Sequence, residues 1–177
     1  MKIFLGEEVS LFVKKHFTEC INQNKNFKNG NIKEALKENF LKMDELMIEA
    51  EGKSELKKYA KISKEQEELR NQKEKSKQVD MFKQLFDPRS QDDCNIALMT
   101  GCTANVCIVD ETDKKIICSN SGDSRGILCK NGTAYALSED HKPEMESEKI
   151  RIYAADGWVS EGRVKGVLNF YFYYVFI

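Results

Sequence analysis

The sequence predicts an α+β fold in which a pair of helices precedes a group of antiparallel strands and a final helix. Up to about residue 50, apolar residues recur at three- and four-residue steps, as they do on one face of an amphipathic helix. After residue 94, β-branched and small residues form short runs joined by turns, which is typical of strands. Helices and strands that segregate along a chain in this way indicate the α+β class.

Two amphipathic helices are predicted in the first part of the chain. The first covers residues 7–21, with its apolar side chains along one face. Residues 22–31 contain Gly30 and several asparagines, which interrupt the pattern. Ile32 then restarts it in a second helix of about 18 residues. Because the connection is short, we expect the two helices to pack as an antiparallel pair.

A charged segment follows over residues 52–79. Lys, Glu and Gln dominate it, and its apolar residues are sparse. Charges of both signs recur at helical spacing, as in Lys64 and Glu68, and such pairs stabilise an exposed helix by about 0.2–0.5 kcal/mol each. We predict an insertion in the domain. It is either a solvated helix or flexible loop, or an arm that docks onto a protein partner.

Four short strands are predicted after this segment, and their even spacing favours an antiparallel meander. The predicted strands are residues 102–110, 115–120, 125–130 and 133–137. Asn131 and Gly132 separate the last two strands. This dipeptide favours a type I′ hairpin turn, because both residues tolerate a positive φ.

A helix is predicted after the strands. Pro143 is suited to its first turn, and the acidic residues that follow favour the positive end of the helix dipole. Asp156 and Gly157 are expected to end it. Residues 158–168 are predicted to form a turn and a short strand.

Composition and charge exclude several classes of function. The chain has 177 residues, of which 41% are hydrophobic and 32% charged, as in ordinary soluble domains, and we expect a single domain. Its 28 Lys and Arg are balanced by 29 Asp and Glu, so no overall basic field is available for binding nucleic acid. The longest apolar stretch is shorter than the roughly 20 residues of a transmembrane helix, and the first residues do not form a secretory signal. We therefore expect a cytoplasmic protein.

The six cysteines contain no C-x-x-C pair. Four of them lie inside strand-like runs, where a cysteine usually packs as a small apolar side chain. We expect them to be buried free thiols.

Several motifs with a known chemistry are absent from the sequence, among them G-x-x-x-x-G-K-[ST], H-E-x-x-H and G-x-S-x-G. Four other segments carry more information. They are Gly101-Cys102-Thr103-Ala104, residues 120–125 (N-S-G-D-S-R), residues 137–143 (L-S-E-D-H-K-P) and residues 162–169 (G-R-V-K-G-V-L-N). In this order and spacing the chain resembles the protein phosphatase 2C family of metal-dependent serine/threonine phosphatases. We assign residues 1–169 to a partial phosphatase domain of this kind.

The resemblance implies both a fold and a reaction. The fold is a layered α-β-β-α sandwich, of which this chain would hold an incomplete part: a helix pair, an antiparallel meander and a helix. The reaction is hydrolysis of phosphoserine and phosphothreonine in a phosphoprotein substrate. In the family, two magnesium or manganese ions share a bridging water and clamp the phosphate, and carboxylate ligands suit such ions.

The ends of the chain depart from the family's metal-binding motifs. When residues 6–9 are aligned with the end of the D-G-H-G-G motif, Lys2 stands where the family has a metal-bridging Asp. A charged lysine has no lone pair for a metal. Phe170 follows Asn169 where the family continues with S-R-x-x-G-D. We therefore expect a truncated, inactive chain that binds metal poorly or not at all, with an aberrant aromatic tail over residues 170–177.

The resemblance assigns roles to the residues that do match. Asp123 corresponds to a ligand of an additional, weaker third ion in the family, and its alternative role is to cap the turn. Arg125 is expected to anchor that turn by hydrogen bonds. Asp140 and His141 belong to the framework in the family, so we expect no catalytic residue among the matched positions. The other matched positions, all expected to be structural, are Gly101, Thr103, Gly122, Ser124 and Gly166.

Two other functions are compatible with the sequence. A non-catalytic pseudophosphatase or structural module would present its helical face, or residues 52–79, to a protein partner. Residues 170–177 could instead anchor the chain to a partner or a membrane surface, since aromatic residues favour interfaces. No basic cluster adjoins this tail, which disfavours a membrane. His16, on the first predicted helix, is expected to be a packing or surface residue.

Overall fold

The structure is a computed structural model that describes residues 7–73 and 96–164. The chain divides into two compact units between Cys102 and Thr103. In the described ranges the first unit is helical, whereas the second consists of short antiparallel sheets and a helix. The predicted α+β class is therefore confirmed.

The first unit contains two long amphipathic helices at the predicted positions. Its helices are α1 Glu8–Gln23, α2 Lys25–Lys28, α3 Ile32–Ile48, α4 Ala50–Lys73 and α5 Ile96–Met99. The short helix α2 lies in the segment that the asparagines led us to predict as a break. The side chain of Asn24 accepts a hydrogen bond from the amide of Phe27 at 3.1 Å, so an asparagine that favours a turn here caps the start of a helix.

The core of the first unit includes the first half of the charged segment. Leu56 and Ala60 of α4 are only 1% and 3% exposed. They belong to one apolar cluster with residues of α1, α3 and α5, namely Val9, Phe12, Met47 and Ile96. Thus Leu56 and Ala60 of this segment pack into the core, whereas Ile62 on the same helix is exposed. Residues 74–79 lie outside the described residues, and an insertion over 52–79 stays a prediction.

A close backbone approach fixes where α4 begins. Gly52 is buried, and a Cβ atom at this position would lie 1.9 Å from the carbonyl oxygen of Leu46 in α3. Because van der Waals contact forbids such a distance, only glycine allows the first turn of α4 to lie against the end of α3.

One carboxylate, that of Glu55 on α4, links α4 to α1. It accepts hydrogen bonds from Lys15 at 2.7 Å, from the hydroxyl of Tyr59 at 2.6 Å, and contacts Nε2 of His16 at 2.9 Å. Burial opposes ionisation of Glu55, but the hydrogen bonds from Lys15, Tyr59 and His16 outweigh it and lower its pKa from 4.5 to about 2. The ring of His16 also lies 4.4 Å from that of Phe12, so His16 combines a packing role with a link between helices.

Glu55 should make the stability of the first unit depend on acidity. Because its pKa is lowered in the folded state, its contribution is present above about pH 4.5 and is lost as the pH falls towards 2. We expect Glu55→Gln to lower the free energy of unfolding at pH 7, because it removes the charge that Lys15 and His16 contact. The expected loss is only about 1 kcal/mol, since solvent screens ion pairs near the surface. Urea unfolding at pH 7, 4 and 3 should show that the difference in stability between the unmodified chain and Glu55→Gln becomes smaller as the pH falls.

The matched control Glu45→Gln removes an exposed carboxylate paired with Lys42 and should change stability by less than about 0.5 kcal/mol at every pH. A difference for Glu55→Gln that is constant with pH would contradict the assignment.

The second unit is built from hairpins between neighbouring strands. Its elements are β1 Ala104–Asp110, β2 Lys115–Ser121, β3 Ile127–Lys130, β4 Thr133–Ala136, α6 Glu146–Ala154, β5 Val159–Ser160 and β6 Arg163–Val164. The antiparallel pairs are β1 with β2, β3 with β4 and β5 with β6. The predicted turn at Asn131 and Gly132 is confirmed, with φ values of 53° and 76°. Glu161 and Gly162 form a second turn with positive φ at both residues.

Two sequence predictions in this unit are corrected. The single predicted meander is replaced by separate two-stranded sheets, because the chain leaves β2 at Gly122 and does not rejoin the same sheet among the described residues. The last helix begins at Glu146 and not at Pro143, which lies in the preceding turn. Its predicted end is confirmed: Asp156 has φ 55°, and the amide of Gly157 donates to the carbonyl of Ile152 at 2.9 Å.

Some of the predicted features involve residues outside the ranges 7–73 and 96–164. Gly166 and the aromatic tail over residues 170–177 lie outside the described residues, and the domain limits at 1–169 stay a prediction. Within residues 7–73 and 96–164, no helix is both long enough and apolar enough to cross a bilayer.

Candidate functional site

The G-D-S-R segment forms an ordered turn between β2 and β3. Gly122 is buried and has φ 99°, a conformation that L-residues with a Cβ rarely adopt. A Cβ atom added to Gly122 would also lie 2.6 Å from Cγ2 of Thr103. Both the backbone angle and the neighbouring side chain therefore require glycine at this position.

Asn120, at the end of β2, ties this turn to the D-H-K-P segment. Its side-chain amide donates to the carbonyl of Gly122 and to the carbonyl of Glu139, both at 2.8 Å. The backbone amide of His141 donates to the same carbonyl of Gly122 at 3.0 Å. Asn120 is only 1% exposed, so these bonds are shielded from water and hold the two motif segments side by side.

An ion pair at the surface joins the same two segments. Nε of Arg125 donates to Oδ1 of Asp140 at 2.9 Å, and the ammonium of Lys142 lies 3.3 Å from the other oxygen. The hydrogen bond from Arg125, assisted by Lys142, lowers the pKa of Asp140 below its usual 3.8. Asp140 is thus an ionised partner of two cations, and Arg125 bridges the turn to its neighbouring segment.

Asp123 lies at the apex of the turn and is exposed. Next to Asp123 in the chain, the hydroxyl of Ser124 shares a hydrogen bond of 2.6 Å with the hydroxyl of Thr103, which fixes the turn against the residue that precedes β1.

Among residues 7–73 and 96–164, no three His, Cys, Asp or Glu side chains come together to hold a metal ion. Magnesium and manganese need several oxygen ligands, so the described residues do not fit a complete site for either ion. Asp123 could supply a single ligand, and its metal role stays a prediction.

The sequence analysis missed a partly buried network of polar side chains next to the turn. The amide of Asn105 donates to Oδ1 of Asn120 at 3.1 Å and to the hydroxyl of Ser138 at 3.0 Å. That hydroxyl in turn accepts from the backbone amide of Gly126 at 2.9 Å. The signal was available, because Asn105 and Asn120 are amide side chains inside predicted strands, and an amide shielded from water must find partners.

Gly101 is half-buried at the end of the first unit. Gly166 lies outside the described residues. The structure therefore brings together Thr103, Gly122, Ser124, Arg125 and Asp140 around one turn. The absence of a catalytic residue among the matched positions stays a prediction.

This arrangement defines a class of protein: an α+β chain in which an N-S-G-D-S-R turn, with its first three residues buried, is held against a D-H-K-P segment. Residues 18–170 match the family described as protein phosphatase 2C. The chain is 39% identical over 164 residues to Protein phosphatase 2C 1 of Paramecium tetraurelia, an alignment that covers 93% of this chain and 44% of the relative. It is 31% identical over 179 aligned residues to Probable protein phosphatase 2C 21 of Arabidopsis thaliana, covering 93% of this chain and 47% of the relative.

A shorter region is more similar still. Over 70 residues the chain is 54% identical to Protein phosphatase ppm-1.G of Caenorhabditis elegans, covering 40% of this chain and 14% of the relative. The chain belongs to the protein phosphatase 2C family. It spans about 44% of the length of the Paramecium relatives that it matches.

Proposed function

We propose that the protein to which these residues belong is a metal-dependent serine/threonine phosphatase, and that these residues form the central part of its domain. The observation that carries the proposal is the turn at Gly122, because the family's matched residues meet there in one hydrogen-bonded arrangement. The substrate would be a phosphoprotein, and the location would be cytoplasmic.

The complete domain would be the family's layered α-β-β-α sandwich. Exposed apolar side chains in the second unit support this proposal. Val109 and Ile127 are 65% and 63% exposed, although both are β-branched residues of strands. Every residue of β4 is exposed. Such strands are stable when a further layer covers them, and that layer would come from the rest of the domain.

We further propose that the 177 residues alone have no phosphatase activity. The cofactor in the family is magnesium or manganese, and Lys2 replaces the Asp that would bridge two ions. The described residues also lack a group of three potential ligands. In this proposal the chain positions Asp123 for the complete domain, since Asn120 and Arg125 hold the turn on which Asp123 lies.

The alternative is a non-catalytic relative that binds a protein partner through residues 52–79. Exposed lysines on α4 favour this alternative. Lys53, Lys58 and Lys61 all face solvent, while Leu56 on the same helix holds it to the core. Glu51 and Glu65 are exposed on the same helix, so this charged surface suits a protein partner with a complementary pattern of charges.

A chimaera distinguishes an enzyme from a non-catalytic relative. In it, residues 18–164 of this chain replace the matching segment of Protein phosphatase 2C 1 of Paramecium tetraurelia, which supplies the remaining parts of the domain. We expect the chimaera to hydrolyse a phosphothreonine peptide in manganese within about tenfold of its parent, and EDTA to abolish the reaction. The 177-residue chain, assayed beside it, should be inactive.

Two variants of the chimaera test the position of Asp123. Asp123→Asn should lower activity by about tenfold or more and raise the manganese concentration needed, because it removes a ligand oxygen's charge. The matched control Glu111→Gln changes another exposed acid of the same unit and should leave activity unchanged. A chimaera that melts cooperatively but has no activity would contradict the phosphatase proposal and favour the partner-binding alternative.

A further inference from the structure

Two cysteines face each other across the first hairpin. Cys107 in β1 is paired directly with Cys118 in β2. Directly opposed residues of antiparallel strands have Cα atoms about 4.5–5.5 Å apart, and a disulfide spans Cα distances of about 4.4–6.8 Å. The strand register therefore places these two cysteines at a separation that a disulfide can close.

Both thiols approach the same acceptor. Sγ of Cys118 lies 3.5 Å from Oδ1 of Asn105, and Sγ of Cys107 lies 3.8 Å from the same oxygen. The two sulfur atoms are thus on one face of the hairpin and are not turned away from each other. Both cysteines are free, and Cys107 is exposed, so an oxidant can reach the pair.

The other described cysteines have no such partner in the strand pairings. Cys129 in β3 is paired with Ala134, and Cys20 and Cys102 lie outside the strands. None of the five described cysteines is buried, which corrects the expectation of buried thiols. The opposed pair is therefore a structural feature distinct from the general cysteine content of the chain.

We propose that Cys107 and Cys118 form a dithiol site that a hydroperoxide converts to an intramolecular disulfide. One thiolate attacks the terminal peroxide oxygen and the O–O bond breaks, so the sulfur becomes a sulfenic acid, and the remaining oxygen takes up a proton and leaves as an alcohol or water. The second thiol then displaces water from the sulfenic sulfur and forms the S–S bond. Two thiols lose two electrons in total, and one hydroperoxide accepts them.

Oxidation of this pair acts on the turn at Gly122 through Asn105. The disulfide removes the two S–H groups that approach Oδ1 of Asn105. The amide nitrogen of the same side chain donates to Asn120 and Ser138, and these residues hold Gly122 and Gly126. A shift of Asn105 therefore loosens the hydrogen bonds that position the turn.

The reaction should be slow at neutral pH. Partial desolvation of the thiol, and then its contact with Cys118, raise the pKa of Cys107 to about 11, and the thiolate is the reactive form. Disulfide formation should thus be faster at pH 9 than at pH 7.

Peptide mapping of the full 177-residue chain tests the proposal. The chain is first reduced and then treated with hydrogen peroxide at pH 7 and pH 9, and free thiols are alkylated before trypsin digestion. Trypsin cuts after Lys114 and Lys115, which separates residues 90–114 from residues 116–125. We expect a linked pair of these fragments, 2 Da lighter than their sum, formed in monomeric protein and faster at pH 9.

Variants identify which cysteine is linked, since residues 90–114 also contain Cys94 and Cys102. Cys107→Ser should abolish the linked fragments, whereas Cys102→Ser and Cys129→Ser should retain them. Oxidation should also speed hydrogen exchange at the amides of Gly126 and His141; unchanged protection would overturn the coupling to the turn. Linked fragments that persist in Cys107→Ser would overturn the site itself. The site would also be overturned if the thiols of the unmodified chain were consumed without any linked fragment forming.

Discussion

Replacing Leu56 by alanine is expected to lower the free energy of unfolding of the first unit by about 2–5 kcal/mol, the usual range for removing a buried leucine from a core. Leu56 is 1% exposed and packs in the cluster that includes Val9 and Phe12 of α1. The surrounding side chains come from several helices, so the space left by alanine should be filled only partly. Urea unfolding followed by helical circular dichroism measures the change.

Ile62→Ala provides the matched control on the same helix. Ile62 is 48% exposed, so its replacement should alter stability by no more than about 0.5 kcal/mol. A large cost for Leu56→Ala beside a small one for Ile62→Ala would show that only one face of α4 belongs to the core. Small and equal changes for both variants would mean that the charged segment is solvated on every side, against the packing described above.

Gly122→Ala is expected to destabilise the second unit by about 2–5 kcal/mol. About 1–2 kcal/mol of this comes from placing a residue with a Cβ at positive φ. The rest comes from overlap with Thr103, whose Cγ2 would lie 2.6 Å from the new Cβ, since overpacking typically costs about 1–3 kcal/mol. The fluorescence of Trp158, the single tryptophan of the chain, reports unfolding of this unit.

Two further variants separate the angle from the overlap. Gly132→Ala introduces a Cβ at φ 76° with no atom within 4 Å, so only the conformational cost of about 1–2 kcal/mol should remain. Combining Gly122→Ala with Thr103→Ser removes Cγ2 but keeps the hydroxyl that bonds Ser124, and should recover about 1 kcal/mol. Recovery should be partial, because Cβ of residue 103 would still lie 3.0 Å away. Equal costs for Gly122→Ala and Gly132→Ala, with no recovery in the double variant, would rule out the overlap.

The sequence predicts those helices of the first unit whose apolar periodicity is strong. Helix α1 and helix α3 fall where the three- and four-residue spacing of apolar residues placed them. The contribution of α4 to the core was not predictable in the same way, because Leu56 and Ala60 are a minority among charged neighbours. Their burial depends on the tertiary contact with α1 and α3, which no local pattern records.

In the second unit, the turns are more predictable than the sheet arrangement. Asn131 and Gly132 specify their turn by local backbone preference alone. The break between β2 and β3 depends instead on the close contact of Gly122 with Thr103 and on the bond from Asn120 to Glu139. The family resemblance identified Gly122, Arg125 and Asp140 as matched positions. Their mutual geometry required the structure, because it arises from residues far apart in the sequence.

The pairing of each strand with its neighbour in sequence has a kinetic consequence. In the described part of the second unit, every strand pair closes a connection of a few residues, with four residues between β1 and β2 and two each in the turns at Gly132 and Gly162. Such hairpins form in about 1–10 μs, since little loop entropy opposes them. The strands of this unit can therefore reach their register early, before distant segments of the polypeptide have met, and the N-S-G-D-S-R turn would assemble on hairpins that already exist.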